Sequence, residues 1–361
     1  MTAAADPRAG ETLGGIGEQA VLARIFPRLP AAASTVLGPG DDAAVIATPD
    51  GRVVITTDMM IHGPDFRLAW SSGNDLGWKA AASNLADVAA MGAVPTALVV
   101  ALAAPADTLV TFLEDFADGL RDGCEAMAPG CGVVGGDLSV SDTLTIAVTA
   151  FGDLEGRAPV TRSGARVGDV VAVSGVLGAA AEGLRLLFEL GEPDAATAAT
   201  AATAGQLKRT DPADVAALKR SHPAQVAALK RSHPAQVAAL KRTHPAEVAA
   251  QLRPHPPIAD GTAAALAGAT AMLDLSDGLA IDARRLATAS GVALALTGIT
   301  PLELAGGEDH SLLATFPPDA RLPGGFRPIG VVVDGDGVLL DGHPVPESGW
   351  DPYSGWNGGR G

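Results

Sequence analysis

At roughly 100–200 residues per domain, a chain of 361 residues implies two or three domains. Its 25 Lys and Arg face 41 Asp and Glu, a net charge of −16 that repels a phosphate backbone and argues against nucleic-acid binding. With 47% hydrophobic and 18% charged residues the chain can bury sizeable cores, which excludes disorder as a whole.

Strands and helices alternate along most of the sequence. Val53 to Thr57 (VVITT) is a short β-branched run that ends at Asp58. Residues Gly77 to Met91 read as a helix closed by Gly92 in a C-terminal capping position. Ala97 to Ala103 reads as a strand and Asp107 to Met127 as a long amphipathic helix. Gly132 to Val134 and Thr143 to Phe151 look like strands flanking a Gly135-Gly136-Asp137 turn. Beyond Gly168 come the strand VVAVSG, a helix near Leu177 to Leu190, LDLSDGL with a following helix, and VALAL. The segment IGVVVDGDGVLLDG reads as a hairpin turning at Asp334-Gly335-Asp336-Gly337. The pattern predicts an α/β protein of the α+β type, with two α/β domains at residues 1–155 and 156–361.

Between these elements, residues 207–250 hold four copies of an eleven-residue unit: LKRTDPADVAA, LKRSHPAQVAA, LKRSHPAQVAA and LKRTHPAEVAA. A proline in every copy forbids one straight helix. The expected local form is a short helix per copy, with Asp or His near the N-cap and Pro at the first helical position. The array carries eight basic and three acidic side chains, against 17 basic and 38 acidic in the remainder. Units this short fall below the lengths that stack into a solenoid. The array is therefore expected to be an inserted, flexible or frayed surface segment that catalysis does not need.

Other features exclude several chemistries. Cys124 and Cys131 fit neither a CxxC redox pair nor a zinc knuckle. No basic stretch followed by an apolar one opens the chain. The longest apolar run, Ala97 to Ala104, is far short of the ~20 residues of a spanning helix, so a cytoplasmic protein off the membrane is expected. Gly14-Gly15-Ile16-Gly17 follows no strand and is not a dinucleotide fingerprint. Of five lysines four lie in the array, and the fifth, Lys79, sits in Gly77-Trp78-Lys79-Ala80, which is not a P-loop. Nucleotide phosphates, if bound, need another source of positive charge.

The aspartates suggest that source. They fall beside glycines and at strand ends: Gly40-Asp41-Asp42, Thr56-Thr57-Asp58, Gly136-Asp137, Asp274-Leu275-Ser276-Asp277-Gly278 and Gly307-Glu308-Asp309, with Asp87 in a helix. Glycine lets backbone approach a ligand closely, and converging carboxylates repel unless cations lie between them. Hard oxygen donors of this kind select Mg²⁺, which bridges carboxylates to phosphates.

Taken in order, GEQAVL, GPGDDAAV, TTDMMIHGPDF, GWKAAASNLADVAAMGA, GGD, TRSGARVGD, LDLSDGL and GGEDHSLL resemble the thiamine-monophosphate kinases. These belong to the superfamily of aminoimidazole ribonucleotide synthetases, selenophosphate synthetases and hydrogenase-maturation dehydratases. The resemblance spans Gly17 to Leu313 apart from the array. It implies phosphoryl transfer from ATP to thiamine monophosphate, assisted by several Mg²⁺ ions, in a homodimer whose N-terminal sheets pair. It assigns Asp42, Thr56, Thr57, Asp58, Asp87, Asp137, Asp274 and Asp277 to metal binding, and Gly136, Asp137, Arg162 and Ser276 to ATP. It assigns Glu308 and a C-terminal aromatic, Trp350 with Tyr353 second, to the thiamine portion. Asp65 stands where the family commonly carries a substrate-side histidine. The acceptor phosphate is already an anionic nucleophile, so no general base is expected, and alignment with charge screening is the expected catalysis. A selenophosphate synthetase is disfavoured because no cysteine precedes Cys124.

Overall fold

The computed structural model describes residues 10–37, 45–189 and 236–346. Asp41, Asp42, Trp350, Tyr353 and array residues 207–235 lie outside the described residues.

Two short helices, α1 (Leu13–Ile16) and α2 (Glu18–Ile25), precede a small ladder of β1 (Thr35–Leu37) and β2 (Val45–Ile46). The first main sheet is built by β3 (Val54–Ile61), α3 (Gly73–Ala90), β4 (Val94–Ala104), α4 (Val110–Met127), β5 (Gly132–Val140) and β6 (Thr145–Asp153). Its strand order is β3-β6-β4-β5. Only β4 and β5 pair in parallel, because α4 carries the chain back between them. Alternation turns Met60, Val100, Leu138, Ile146 and Val148 into a core shared with both helices. The opposite face leaves Ile55, Met59 and Ile61 exposed.

Glycines set how closely α3 and α4 approach. A Cβ added at Gly77 would stand 2.1 Å from the Phe116 carbonyl, and one at Gly119 would stand 2.2 Å from that of Asn74. Side chains at these positions would drive the helices apart.

The second sheet takes β7 (Val170–Ser174), α5 (Ala179–Glu189), helical residues 236–243, α6 (Pro245–Leu252), α7 (Ile258–Leu266), β8 (Ala271–Leu275) and α8 (Leu279–Ser290). It continues with β9 (Ala293–Leu296), α9 (Pro301–Ala305), β10 (Ser311–Phe316), β11 (Arg327–Val333), β12 (Gly337–Leu340) and β13 (His343–Pro344). Its order is β13-β12-β9-β11-β7-β10-β8. Buried Leu279, Ala283 and Leu286 of α8 pack on Leu294, Val332 and Val338. The described residues thus form a mixed α/β protein with two main sheets, as expected from the sequence. None of the described helices is long and apolar enough to cross a membrane.

Several boundaries depart from expectation for identifiable reasons. Gly135-Gly136-Asp137 is not a turn but the middle of β5. A Cβ at Gly136 would lie 2.1 Å from the Val100 carbonyl, so glycine is there for close strand approach. Asp58 likewise sits inside β3, which runs on to Ile61. Helix α3 starts at Gly73, where Ser72 and Asp75 form a reciprocal capping box. At its end, Gly92 adopts φ +72° and donates to the Ala89 carbonyl at 2.8 Å, the expected capping role.

The proposed DGDG hairpin is split. β11 pairs antiparallel with β9 and β12 pairs parallel with β9, so β9 lies between the two arms. The end of the array is also not frayed. His244 and Pro245 open α6 in the expected cap and first-turn positions. Val237, Leu240, Val248 and Leu252 are buried with Trp70 and Leu187 in a small core of their own.

Candidate active site

Helix α3 runs along the seam between the two sheets and carries a polar stripe at four-residue spacing: Asp75, Lys79, Ser83 and Asp87. On an otherwise alanine-rich buried helix, each polar member needs a partner. Asp75 receives Lys241 from the end of the array at 2.8 Å. Lys79 forms an ion pair with Glu308 and lies 3.4 Å from the Gln251 carbonyl. Asp87 accepts a hydrogen bond from Thr56 Oγ1 at 2.8 Å. The neighbouring Asn84 accepts from the Asp58 amide at 3.2 Å.

Across the seam, β8 brings Asp274 and the turn before β10 brings His310, whose Nδ1 lies 3.3 Å from Asp274 Oδ2. That turn is held firmly. Glu308 and His310 occupy the left-handed region, φ 70° and 52°, uncommon for side-chain-bearing residues. The Glu308 amide donates to the Ser276 carbonyl at 2.8 Å and the His310 amide to that of Leu275 at 3.1 Å. Asp309 accepts from the Gly178 and Ala180 amides at 2.6 and 2.8 Å, fixing the start of α5.

The electrostatics follow from this crowding. Burial, together with the nearby Asp274 and Asp58 charges, pushes the Asp87 carboxyl up to about 7, against the hydrogen bond from Thr56. Asp58 is raised by desolvation and by Asp274 and Glu308, with His310 opposing. Burial pulls the His310 imidazole down, but Asp274 and Glu308 outweigh it and raise it. Burial pushes Glu308 up, but Lys79 and His310 outweigh it and hold the carboxyl below its ordinary value. Asp65 is raised by burial and also feels Glu308 and Lys79, which puts it beside this group. Its carboxylate accepts from the Ile61 amide at 2.7 Å.

A cleft of about 710 Å³ opens beside the cluster, within the range of small-molecule sites. Thr56, Asp87 and Asp274 line it together with Arg162, Arg52 and apolar Ile55, Leu154 and Met272. Carboxylates, two guanidiniums and an apolar wall in one cleft suit a nucleotide, with its base on the wall and its phosphates toward the charges.

The structure does not gather every expected residue. Thr57 and Asp137 lie on the open face of the first sheet, away from Thr56 and Asp58, because alternate strand residues point to opposite faces. Thr57 bonds the Val148 carbonyl at 2.9 Å, and exposed Asp137 accepts from Ser139 Oγ at 3.1 Å. Gly136 is next to Asp137 in the same strand. Asp277 pairs with Arg285 at 2.6 Å, beside buried Asp282, which burial raises to about 6. Ser276 contributes its carbonyl to the Glu308 turn. Sequence reasoning gave no site role to Lys79, Asn84 or His310, and placed Asp309 only among the acidic residues beside glycines. The four-residue polar spacing in α3 is the signal that reveals Lys79.

No group of three His, Cys, Asp or Glu among the described residues stands close enough to hold a metal ion as placed. The donor chemistry still fits a hard divalent cation. Asp58, Asp87 and Asp274 are oxygen donors, and the Asp274 charge disfavours ionisation of both Asp58 and Asp87, a repulsion that a cation between them would relieve.

A model of "AIR synthase related protein, N-terminal domain" matches residues 40–154. Thiamine-monophosphate kinase of Mycobacterium tuberculosis (strain CDC 1551 / Oshkosh) is 38% identical over 366 residues, covering 96% of this chain and 92% of the relative. The chain belongs to the thiamine-monophosphate kinase family. The enzyme of the same name from Corynebacterium glutamicum is 35% identical and covers 96% of each chain. Among solved structures, AaThiL complexed with AMPPCP and TMP aligns with a TM-score of 0.63 at 30% identity, covering 86% of this chain and 90% of that one.

Proposed function

We propose that this kinase transfers the γ-phosphoryl group of ATP to the phosphate of thiamine monophosphate, giving thiamine diphosphate by direct in-line transfer. Family membership over 96% of the chain supports the reaction, and a solved relative holds an ATP analogue and TMP together. The convergence of Thr56, Asp58, Asp87 and Asp274 on one seam, opening into the cleft that contains Arg162, carries the mechanistic reading.

In this reading Asp58, Asp87 and Asp274 would hold Mg²⁺ with Thr56, and Asp42 and Asp277 would complete the shell, while Thr57 and Asp137, on the other face of the first sheet, take no part in it. Bound Mg²⁺ would screen the two phosphates and keep donor and acceptor aligned. Arg162 offers a planar, bidentate contact to phosphate, joined by Gly136 and Ser276 at the nucleotide. Glu308, Asp65 and Trp350 serve the acceptor. Charge repulsion between two anions is the barrier to remove, so no side chain needs to take a proton. A homodimer pairing through the open sheet face would cover Met59 and Ile61 and carry Thr57 and Asp137 into the interface. Residues 1–155 and 156–361 form the two domains of this reading, and the cytoplasm is its location.

A coupled ADP-release assay with and without thiamine monophosphate tests the reaction. Release should require the acceptor and divalent metal. Asp58→Asn should cut turnover by at least ~10²-fold while the melting midpoint does not fall. Wild-type turnover in that variant at saturating Mg²⁺ would remove Asp58 from the metal shell.

A further inference from the structure

Lys79 has no place in the reading above, yet it is buried in the middle of α3 with its side chain 7% exposed. A buried ammonium costs free energy unless paired, and here its partner is a carboxylate assigned to the acceptor. The backbone of Glu308 is fixed by its left-handed conformation and its bond to Ser276, but those contacts leave the side chain free to rotate. Lys79 restrains that rotation. Glu308 remains 37% exposed, so one carboxylate oxygen is engaged while the group stays reachable.

Lys79 is itself held from behind. The carbonyl of Gln251 lies 3.4 Å from its ammonium, and Trp78 Nε1 donates to the Pro254 carbonyl at 2.7 Å. The Arg253 guanidinium stacks 4.6 Å above the Trp78 ring. Residues 251–254 are thus clamped to two consecutive side chains of α3. They span the end of α6 and the two residues after it, and α6 is seated by Val248, Leu252 and the Lys241–Asp75 ion pair just before it.

We infer that Lys79 is a positioning residue for the acceptor subsite: it fixes the rotamer of Glu308 toward the cationic ring of the acceptor and is braced by residues 251–254, which the last unit of the repeat array seats. This deepens the kinase reading and rests on it. Lys79 touches neither phosphate nor metal in this role, so its loss should fall on acceptor affinity.

The test measures steady-state kinetics with ATP and thiamine monophosphate for wild type, Lys79→Met, Lys79→Arg, Glu308→Gln and the double variant Lys79→Met/Glu308→Gln. Lys79→Met should raise KM for thiamine monophosphate about tenfold, with KM for ATP and kcat within about twofold. Lys79→Arg, which keeps the charge, should recover most of the loss. The double variant should match Glu308→Gln alone, because Lys79 acts only through Glu308. It also removes both charges together, so it tests the inference even where the single variant, left with an unpaired carboxylate, folds poorly.

The inference is overturned if KM for the acceptor is unchanged in Lys79→Met, if KM for ATP rises equally, or if the two losses multiply in the double variant. Absence of acceptor-dependent ADP release in the wild type is a different result: it sinks the kinase reading, and this inference with it.

Discussion

Asp87 shows what a buried carboxylate costs in stability here. Its carboxyl titrates near 7 in the folded chain against an ordinary value of 3.8, mainly through burial and secondarily through Asp274. A raised folded value means that the folded state keeps a proton the unfolded chain has lost. The penalty is therefore absent below about pH 4 and grows as pH rises through 7. Without divalent metal, Asp87→Asn should raise the melting midpoint at pH 8 by about 2–4 °C and flatten its fall between pH 4 and 8. With Mg²⁺ the order should reverse, since the wild type alone gains the cation. Thermal melts across pH, with and without Mg²⁺, check both halves; a variant that melts below wild type in metal-free buffer at pH 8 would contradict the repulsion argument. At this scale the sequence was legible in its residue types but not in their directions. Asp58 and Asp87 both feel the Asp274 charge across the seam, whereas Asp137 and Thr57 face the other side of their sheet. Motif order does not reveal which face a strand residue takes unless the strand's register is known, and β4–β5 shifts register at Leu98 and Val99.

Elements were legible where hydrophobic period and capping agreed, and misread where glycine had two possible meanings. Gly92 ends α3 as expected, but Gly135 and Gly136 suggested a turn and instead permit close strand pairing. The split hairpin was hidden for another reason: a sharp reversal looks the same in sequence whether its arms pair with each other or straddle β9. The α3–α4 pair gives a test of glycine as a packing residue. A Cβ at Gly77 would meet the Phe116 carbonyl at 2.1 Å and the Leu120 amide nitrogen at 2.7 Å, both backbone atoms of a packed helix. Helix propensity alone favours alanine over glycine by about 1 kcal/mol. The clash should outweigh it, so Gly77→Ala should lose about 2–4 kcal/mol in denaturant unfolding. Since α3 carries Lys79 and Asp87, turnover should fall as well. A stabilised variant would show that the helices can separate at little cost.

The repeat array shows the whole molecule absorbing a segment whose sequence marks it as an insertion. Composition and period indicate a tandem expansion, but they give no sign that one copy is used differently from the others. The difference lies in position: residues 236–252 are close enough in the chain to α7 to lie against α3 and α5, where Val237, Leu240, Val248 and Leu252 find Trp70 and Leu187. Dispensability should therefore divide within the array. Units 218–228 and 229–239 are identical, so deleting residues 218–228 leaves the packed copy and its neighbours with the same sequence. That deletion should keep the melting midpoint within about 2 °C and kcat/KM within about twofold. Leu240→Asp should behave oppositely, because it puts a charge where a buried leucine now packs, a change costing on the order of 2–4 kcal/mol. If the last unit seats Gln251 against Lys79, the same variant should raise KM for the acceptor more than KM for ATP, in the pattern of Lys79→Met. Equal loss of stability and acceptor affinity in both array variants would mean that the copies act as one structural unit. Loss of stability in Leu240→Asp with unchanged acceptor KM would leave the array a packing element and separate it from the site.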